Sequence, residues 1–436
     1  KESFVSKDII QSLGNYGVHI LTDSQIPIFL ENFKILDSSD SKIILWTNSI
    51  QEYLINPTTY IPDRIVSNDS KWTKEVIDFD DEVYRASKKV NLSSLLKPDN
   101  YFEALGEFIL QPDWYNPIFQ YHFPSNEKIG VLRSLFQSLT KRAHILKQKW
   151  LLIADLYIEK ISEVDNKLSL IEAYKTENFE KIAHYNSILF WKTDERLLQI
   201  AKEKVMNIQS RLDEQKILWK ILSLDEIISH IHIFFETHNI TKLPISIESG
   251  NLSRMSVSYG KVVKIHISRN AIIREKEIGA ILFHEIGTHF LRYLAGKEQG
   301  LKLFQFWTGY YLADEEWFAI YRSFSHLPEG YEKNAMYLKY YLLEITDTLS
   351  FSETTNFLRT LYPEKSLESL FSDAVRLKRG ITHSWTKWIV GTTYKKDKIY
   401  LEWYTKVKNW IDAGGDLDKL FFWKVKIQDL KIVEFL

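Results

Sequence analysis

Apolar positions divide the chain into segments of different period. From about 127 to 220 they recur at helical steps: Val131, Leu132, Leu135, Phe136 and Leu139 fall three and four apart, as one face of an amphipathic helix requires. Few glycines or prolines interrupt this stretch, which predicts two or three long helices, with Ser125 placed to cap the first. Another helix is expected near 225–238, ended by Leu243-Pro244. Residues 245–268 switch to period two. Met255, Val257 and Tyr259 alternate with Ser256 and Ser258; after a Tyr259-Gly260-Lys261 turn, Val263, Ile265 and Ile267 alternate with Lys264 and His266. That pattern predicts a β-hairpin. A helix follows over about 271–295, stopped by Gly296, and 301–436 reads as mainly helical with a break at Ala413-Gly414-Gly415. Upstream, 80–120 alternates short helical patterns with breaks at Pro98-Asp99-Asn100, Pro112-Asp113 and Asn116-Pro117, while Ile43-Ile44-Leu45-Trp46 suggests a short strand within 1–65. The fold class is therefore mainly α with a small antiparallel β element, an α+β chain.

Composition narrows the chemistry. The 436 residues include 56 basic and 57 acidic side chains, a net charge of −1, 45% hydrophobic residues and no cysteine. Wholesale disorder is excluded. So are disulfides, thiolate zinc fingers, iron–sulfur clusters and a cysteine nucleophile, which leaves His, Asp and Glu for any metal. The near-neutral charge gives no global case for a nucleic-acid partner. No run of 18 apolar residues predicts a membrane span. The first residues lack both Met and the apolar core of a signal peptide, so a trimmed N-terminus and a cytoplasmic location are expected. Aromatics at 14%, 13 of them Trp, suggest a large core and an aromatic-lined cleft.

One segment concentrates chemistry: Ile281-Leu282-Phe283-His284-Glu285-Ile286-Gly287-Thr288-His289-Phe290-Leu291. Residues 278–283 are apolar or small on every side, so this helix is buried. Burying an imidazole next to a carboxylate is costly unless each finds a partner. A divalent cation on His284 and His289, with Glu285 facing its water, satisfies all three. The spacing is unusual. Metalloprotease helices carry H-E-x-x-H, with histidines at i and i+4 on one face. At i and i+5 the two side chains diverge by about 140° on a regular helix. A π-type bulge would restore convergence, and Gly287 between the ligands eases it, so a distortion is predicted across 285–289. The bland alternative is a pair of buried histidines satisfied by carbonyls. A third ligand is needed; Asp314, Glu315 and Glu316 are candidates, although carboxylates at a helix start also favour the helix dipole. Chemistry alone does not choose among the three.

The stretch HEIGTHFLR, followed by AGKEQGL and TGYYLADEEWFAIY, resembles the catalytic segment of the microtubule-associated tyrosine carboxypeptidase family, which includes bacterial relatives with a Gln-Glu-Gly-Leu-Ala signature. Placing Glu316-Trp317-Phe318-Ala319 on the family's Glu-Gly-Leu-Ala implies Glu316 as third ligand of one zinc ion. Arg292 matches the arginine after the second histidine. Lys378-Arg379-Gly380 is similar to an Arg-Gly element, Lys396-Asp397 with Tyr400-Leu401 to a Lys-Asp-x-x-Tyr-Leu element, and Asn116-Pro117-Ile118-Phe119-Gln120-Tyr121 to an Asn-Pro-x-Phe-x-Tyr element. The likeness spans about 115–405. Trp317-Phe318 in place of Gly-Leu is expected to narrow the pocket, and Ala295-Gly296 replaces Asn-Gly.

The resemblance implies a gluzincin-like catalytic domain over 116–436 (scaffold 127–240, hairpin 245–268, metal helix 271–295, helical remainder 301–436), with 1–115 as an accessory region. It implies a zinc carboxypeptidase that releases a C-terminal residue, tyrosine or another aromatic, from a protein or peptide tail. His284, His289 and Glu316 would hold zinc and Glu285 would move the proton. A terminal carboxylate calls for a cation, for which Arg292, Arg379 and Lys396 are the candidates; Arg292 is alternatively a prop for a carboxylate behind a ligand. Tyr400 is a candidate for stabilising the oxyanion. The hairpin offers an edge strand for an extended peptide. Competing readings are an endopeptidase or aminopeptidase with the same metal core, and a regulatory protein with a structural metal, against which the presence of Glu285 argues. The tubulin tails implied for some members are acidic, whereas this chain advertises no global basic groove. His230 and His232 diverge on a helix and read as ordinary; His266 points outward; His326 and His383 are undecided.

Overall fold

The computed structural model describes residues 72–208, 219–249, 253–324, 326–327, 331–363, 365–383, 393–421 and 424–430. The strand expected at 43–46 lies outside them. All the described residues fall in one compact unit, Ile65–Leu436.

Short helices α1 (Lys74–Ser87), α2 (Leu92–Leu95) and α3 (Tyr101–Leu110) follow the interrupted pattern. Asn91 caps α2 through the Ser94 amide. From α3, Tyr101, Ala104 and Phe108 turn into a core shared with Phe119, Phe351 and Phe371. Among the described residues the predicted long helical region holds four helices rather than two or three: α4 (Asn126–Leu146), α5 (Leu151–Lys175), α6 (Phe179–Phe190) and α7 (Glu195–Ile208). Ser125 caps α4 as expected, accepting from the Lys128 amide at 3.2 Å. The break after α5 lacks Gly or Pro. Glu177 adopts a left-handed φ of 48° and Asn178 caps α6, a polar turn that helical periodicity does not reveal.

A capping box of Ser223 and Glu226 starts α8 (Leu224–Thr237), on which His230 and His232 are both exposed. Three strands come next: β1 (Ile245–Glu248), β2 (Met255–Tyr259) and β3 (Val263–Ser268), in the order β1-β3-β2. The hairpin is present, with Val257 opposite Ile265. The sheet is nevertheless mixed, because β1 joins β3 in parallel, Ile245 beside Ile265. Ile245 and Ile247 extend the apolar face begun by Ile265 and Ile267; the pairing skips β2, so local alternation does not show it. On the polar face, Ser258 donates to His266 Nε2 at 2.6 Å and His266 Nδ1 meets Glu248 at 2.5 Å, a row that ties all three strands together. His266 thus faces away from the apolar side.

The metal-helix segment begins seven residues later than expected. It runs through α9 (Ile278–His284), a π turn (Glu285–Phe290) and α10 (Leu291–Lys297) without interruption. Residues 271–277 stay outside it because the Ile273 carbonyl accepts from Leu222 and the Glu277 carboxylate takes the Arg274 amide. Gly296 does not stop the helix either. It is needed because a Cβ there would overlap the carbonyl of Phe304.

The remainder is helical: α11 (Lys302–Phe306), α12 (Leu312–Phe324), α13 (Tyr331–Ile345), α14 (Phe351–Leu361), α15 (Leu367–Lys378), α16 (Ile399–Asp412) and α17 (Leu417–Phe421). Asp80 of α1 caps α11 from a distance, taking the amides of Lys302 and Leu303 and the Tyr157 hydroxyl. Helix α12 packs against α9, the π turn and α16, and β2 lies against the π turn. Among the described residues no helix is long and apolar enough to cross a membrane.

Candidate metal centre

The distortion expected from the spacing is present. Residues Glu285–Phe290 wind as a π-helix, so positions five apart stack on one face. Such a turn displaces backbone groups from their usual partners, and side chains meet them. Thr288 donates to the Phe283 carbonyl at 2.9 Å, and Arg322 of α12 donates to the Gly287 carbonyl. Little room exists at Gly287, where a Cβ would come within 3.0 Å of the Phe283 ring.

The turn brings His284 Nε2 to 3.2 Å from His289 Nε2, with the rings nearly perpendicular at 88°. Glu316, from the first turns of α12, places Oε2 at 3.5 Å from His284 Nε2 and 3.8 Å from His289 Nε2. One donor atom from each residue lies within 4.8 Å of the others. Two bonds of 2.0–2.1 Å meeting at a tetrahedral angle separate their nitrogens by about 3.3 Å, so this donor set fits a zinc-sized cation. The hydrogen bonding fits as well. Glu315 accepts from His289 Nδ1 at 2.8 Å, which fixes the tautomer and turns the Nε2 lone pair toward His284 and Glu316.

Electrostatics point the same way. Burial opposes a charged imidazole at His289, but hydrogen bonds to Glu315 and Glu316 outweigh it and raise its pKa to about 9. The cluster therefore demands positive charge, as a proton or as a cation. Burial also opposes ionisation of Glu316, yet Lys396 and the two histidines hold its carboxyl well below the ordinary range. Burial pushes Glu285 up, with the Glu316 charge adding to the shift and the histidines and Lys396 offsetting part of it. A partly exposed carboxylate with a raised pKa beside such a donor set is suited to taking and returning a proton.

The other expected residues divide into two groups. Lys396 reaches the cluster, whereas Tyr400 makes its contact with Lys339, whose ammonium lies 5.1 Å from its ring centre. The Lys396 ammonium lies 3.5 Å from Glu316 Oε1; burial first, then the charges of Glu316 and Asp397, push the Tyr400 pKa well above the ordinary value. Arg292 and Arg379 do not stand open to a substrate. Arg292 is fully buried and holds Glu315, which favours its alternative role as a prop. Arg379 is buried with its guanidinium 4.1 Å from the Tyr394 ring centre. Trp317 and Phe318 do not narrow a pocket. Helical phase turns both from Glu316 into the core, Trp317 against Tyr321 and Phe318 against Phe421 and Arg292. Asp314 is buried too, accepting from the Ile427 amide at 3.3 Å. Sequence reasoning missed Arg322, whose position in a helix rich in aromatics gave no sign that it reaches across to the π turn.

The two undecided histidines lie elsewhere. His383 meets Glu177 at 3.2 Å. His326 stacks on Phe283 of α9, with centroids 4.0 Å apart. Burial, aided by Arg322 and His238, lowers the His326 pKa to about 4. The unfolded chain takes a proton there near pH 6.5 and the folded chain only near pH 4, so stability is lost as the pH falls through that window. His326→Phe keeps the stack and removes the titration. Urea midpoints measured from pH 7 down to 4 should then fall less steeply than in the wild type.

Residues 107–314 match the family model described as microtubule-associated tyrosine carboxypeptidase. This peptidase family is the one the sequence resembles; the matched span contains His284, Glu285 and His289 and ends two residues before Glu316. No curated protein matches the chain.

Proposed function

With that match to a peptidase family as premise, we propose that the chain is a zinc-dependent carboxypeptidase that removes a C-terminal residue, tyrosine or another aromatic, from a protein tail. The observation that carries the proposal is the convergence of His284, His289 and Glu316 across a π turn beside Glu285. These three residues would hold the ion, and when bound it supplies Lewis-acid polarisation and a lowered water pKa. Glu285 takes a proton from the attacking water and passes it to the leaving amine. Tyr400 keeps its proton because burial, Glu316 and Asp397 all push its pKa well above the ordinary value, so it can donate to a developing oxyanion. Lys396, whose ammonium lies 3.5 Å from Glu316 Oε1, is a cation at the cluster for a terminal carboxylate. Strand β2 forms one edge of the sheet and lies along the π turn, where an extended peptide can pair with it.

A second reading has its own support. Burial of Arg292 and Arg379 removes two of the three cations expected for a terminal carboxylate, which favours an endopeptidase with the same core. Peptides with free and amidated C-termini separate the two. The carboxypeptidase releases one residue from the free form and leaves the amide intact; equal cleavage of both supports the endopeptidase. Chelation should stop either reaction, and added zinc should restore it.

A further inference from the structure

We propose that Lys424 is a positioning residue of the metal centre, carried there by the segment 424–430, which acts as a strap across the back of the site. The proposal rests on the reading of His284, His289 and Glu316 as metal ligands.

Glu315 is the junction. Its buried carboxylate accepts from His289 Nδ1 and pairs with two cations, Arg292 on Oε2 and Lys424 on Oε1 at 2.9 Å. His289 and Lys424 therefore share one oxygen. Arg292 arrives from α10, next to the ligand itself. Lys424 arrives from 109 residues further along the chain and is itself buried. A buried lysine brought so far for one carboxylate oxygen needs a scaffold, and the strap supplies it. The Lys424 amide donates to the Phe304 carbonyl at 3.1 Å, the Thr308 amide donates to the Lys424 carbonyl at 3.1 Å, and Arg292 donates to the Val425 carbonyl at 3.2 Å. Further along, the Ile427 amide meets Asp314, the residue before Glu315. The same ammonium sits 5.0 Å from the centre of the Tyr259 ring, at the end of β2.

The consequence is geometric. With Lys424 in place, Glu315 has a fixed partner on each oxygen and cannot rotate away from His289. Without it, the partner left on Oε1 among the described residues is the imidazole, and the ring loses the rigid support that aims Nε2 at the ion. Partners behind a ligand are typically worth 10- to 100-fold in metal affinity.

The test measures zinc affinity of the full chain by competition with a chelating dye, together with the visible spectrum of the cobalt-substituted protein. Lys424→Met should weaken zinc by about 10- to 100-fold and alter the cobalt bands. Lys424→Arg, which restores a cation on Oε1, should recover most of the affinity. Lys426→Ala is the control: on the same strap, it removes contacts to Glu159 of α5 and to Asp429 but none to Glu315, and should bind zinc as the wild type does. Wild-type affinity and an unchanged cobalt spectrum in Lys424→Met would overturn the proposal, as would equal losses in Lys424→Met, Lys424→Arg and Lys426→Ala, which would mark general damage to the strap. Absence of metal from the wild type itself would instead overturn the proposed function, and this inference with it.

Discussion

Glu285→Gln should lower peptide hydrolysis by about 10²- to 10⁴-fold while leaving bound zinc at the wild-type level. The split between the two readouts follows from where Glu285 stands. His284, His289 and Glu316 form the donor cluster without it. It follows His284 directly and opens the π turn, and its pKa is raised chiefly by burial, with Glu316 adding to the shift. Glutamine matches its shape and keeps a polar contact to water but has no site to accept a proton. Loss of turnover with retained metal, measured as kcat and as zinc per chain on the same preparation, is therefore the expected pair of results. A variant that turns over at the wild-type rate would remove Glu285 from the chemistry. One that loses zinc as well would make it part of the metal support instead.

Arg322→Met should weaken zinc binding by about 10- to 100-fold although Arg322 touches none of the three ligands. Its guanidinium meets the carbonyl of Gly287, between the two histidines, and lies over the Phe283 and Phe421 rings. It is fully buried, and that burial presses its pKa down to about 9. Two effects on stability oppose each other. Methionine relieves the cost of a buried cation. It also leaves the Gly287 carbonyl without this donor, a loss of about 1–3 kcal/mol. The turn can recover by closing to ordinary α geometry, but then His284 and His289 diverge. Metal affinity, rather than the melting temperature, is therefore the decisive readout, taken by chelator competition. Unchanged affinity would mean that the π turn holds without Arg322.

The site's first half was legible because the motif itself was out of register. Two histidines five apart cannot share an ion on a regular helix, so the spacing, with Gly287 between them, already required the π turn that is found at Glu285–Phe290. The hairpin was equally readable, since Met255, Val257 and Tyr259 alternate strictly. Other parts depend on partners distant in sequence. Asp314, Glu315 and Glu316 are three consecutive buried carboxylates, and no property of the residues separates them. Helical phase does: each is turned about 100° from the last, one to the Ile427 amide, one to His289 and its cations, one to the ligand cluster. The same blindness explains Arg292 and Arg379, whose charge is visible in the sequence while the burial that withdraws them from a substrate is not. Strand β1 was missed for a related reason, because its partner β3 lies beyond β2 in the chain.

The most direct test of the central claim is mass spectrometry of a tail peptide ending in a free tyrosine, incubated with protein whose zinc content has been measured. One zinc per chain and a product shorter by that single residue, formed by the wild type and not by Glu285→Gln, is the predicted result. A protein without zinc, or cleavage at an internal bond, would contradict it.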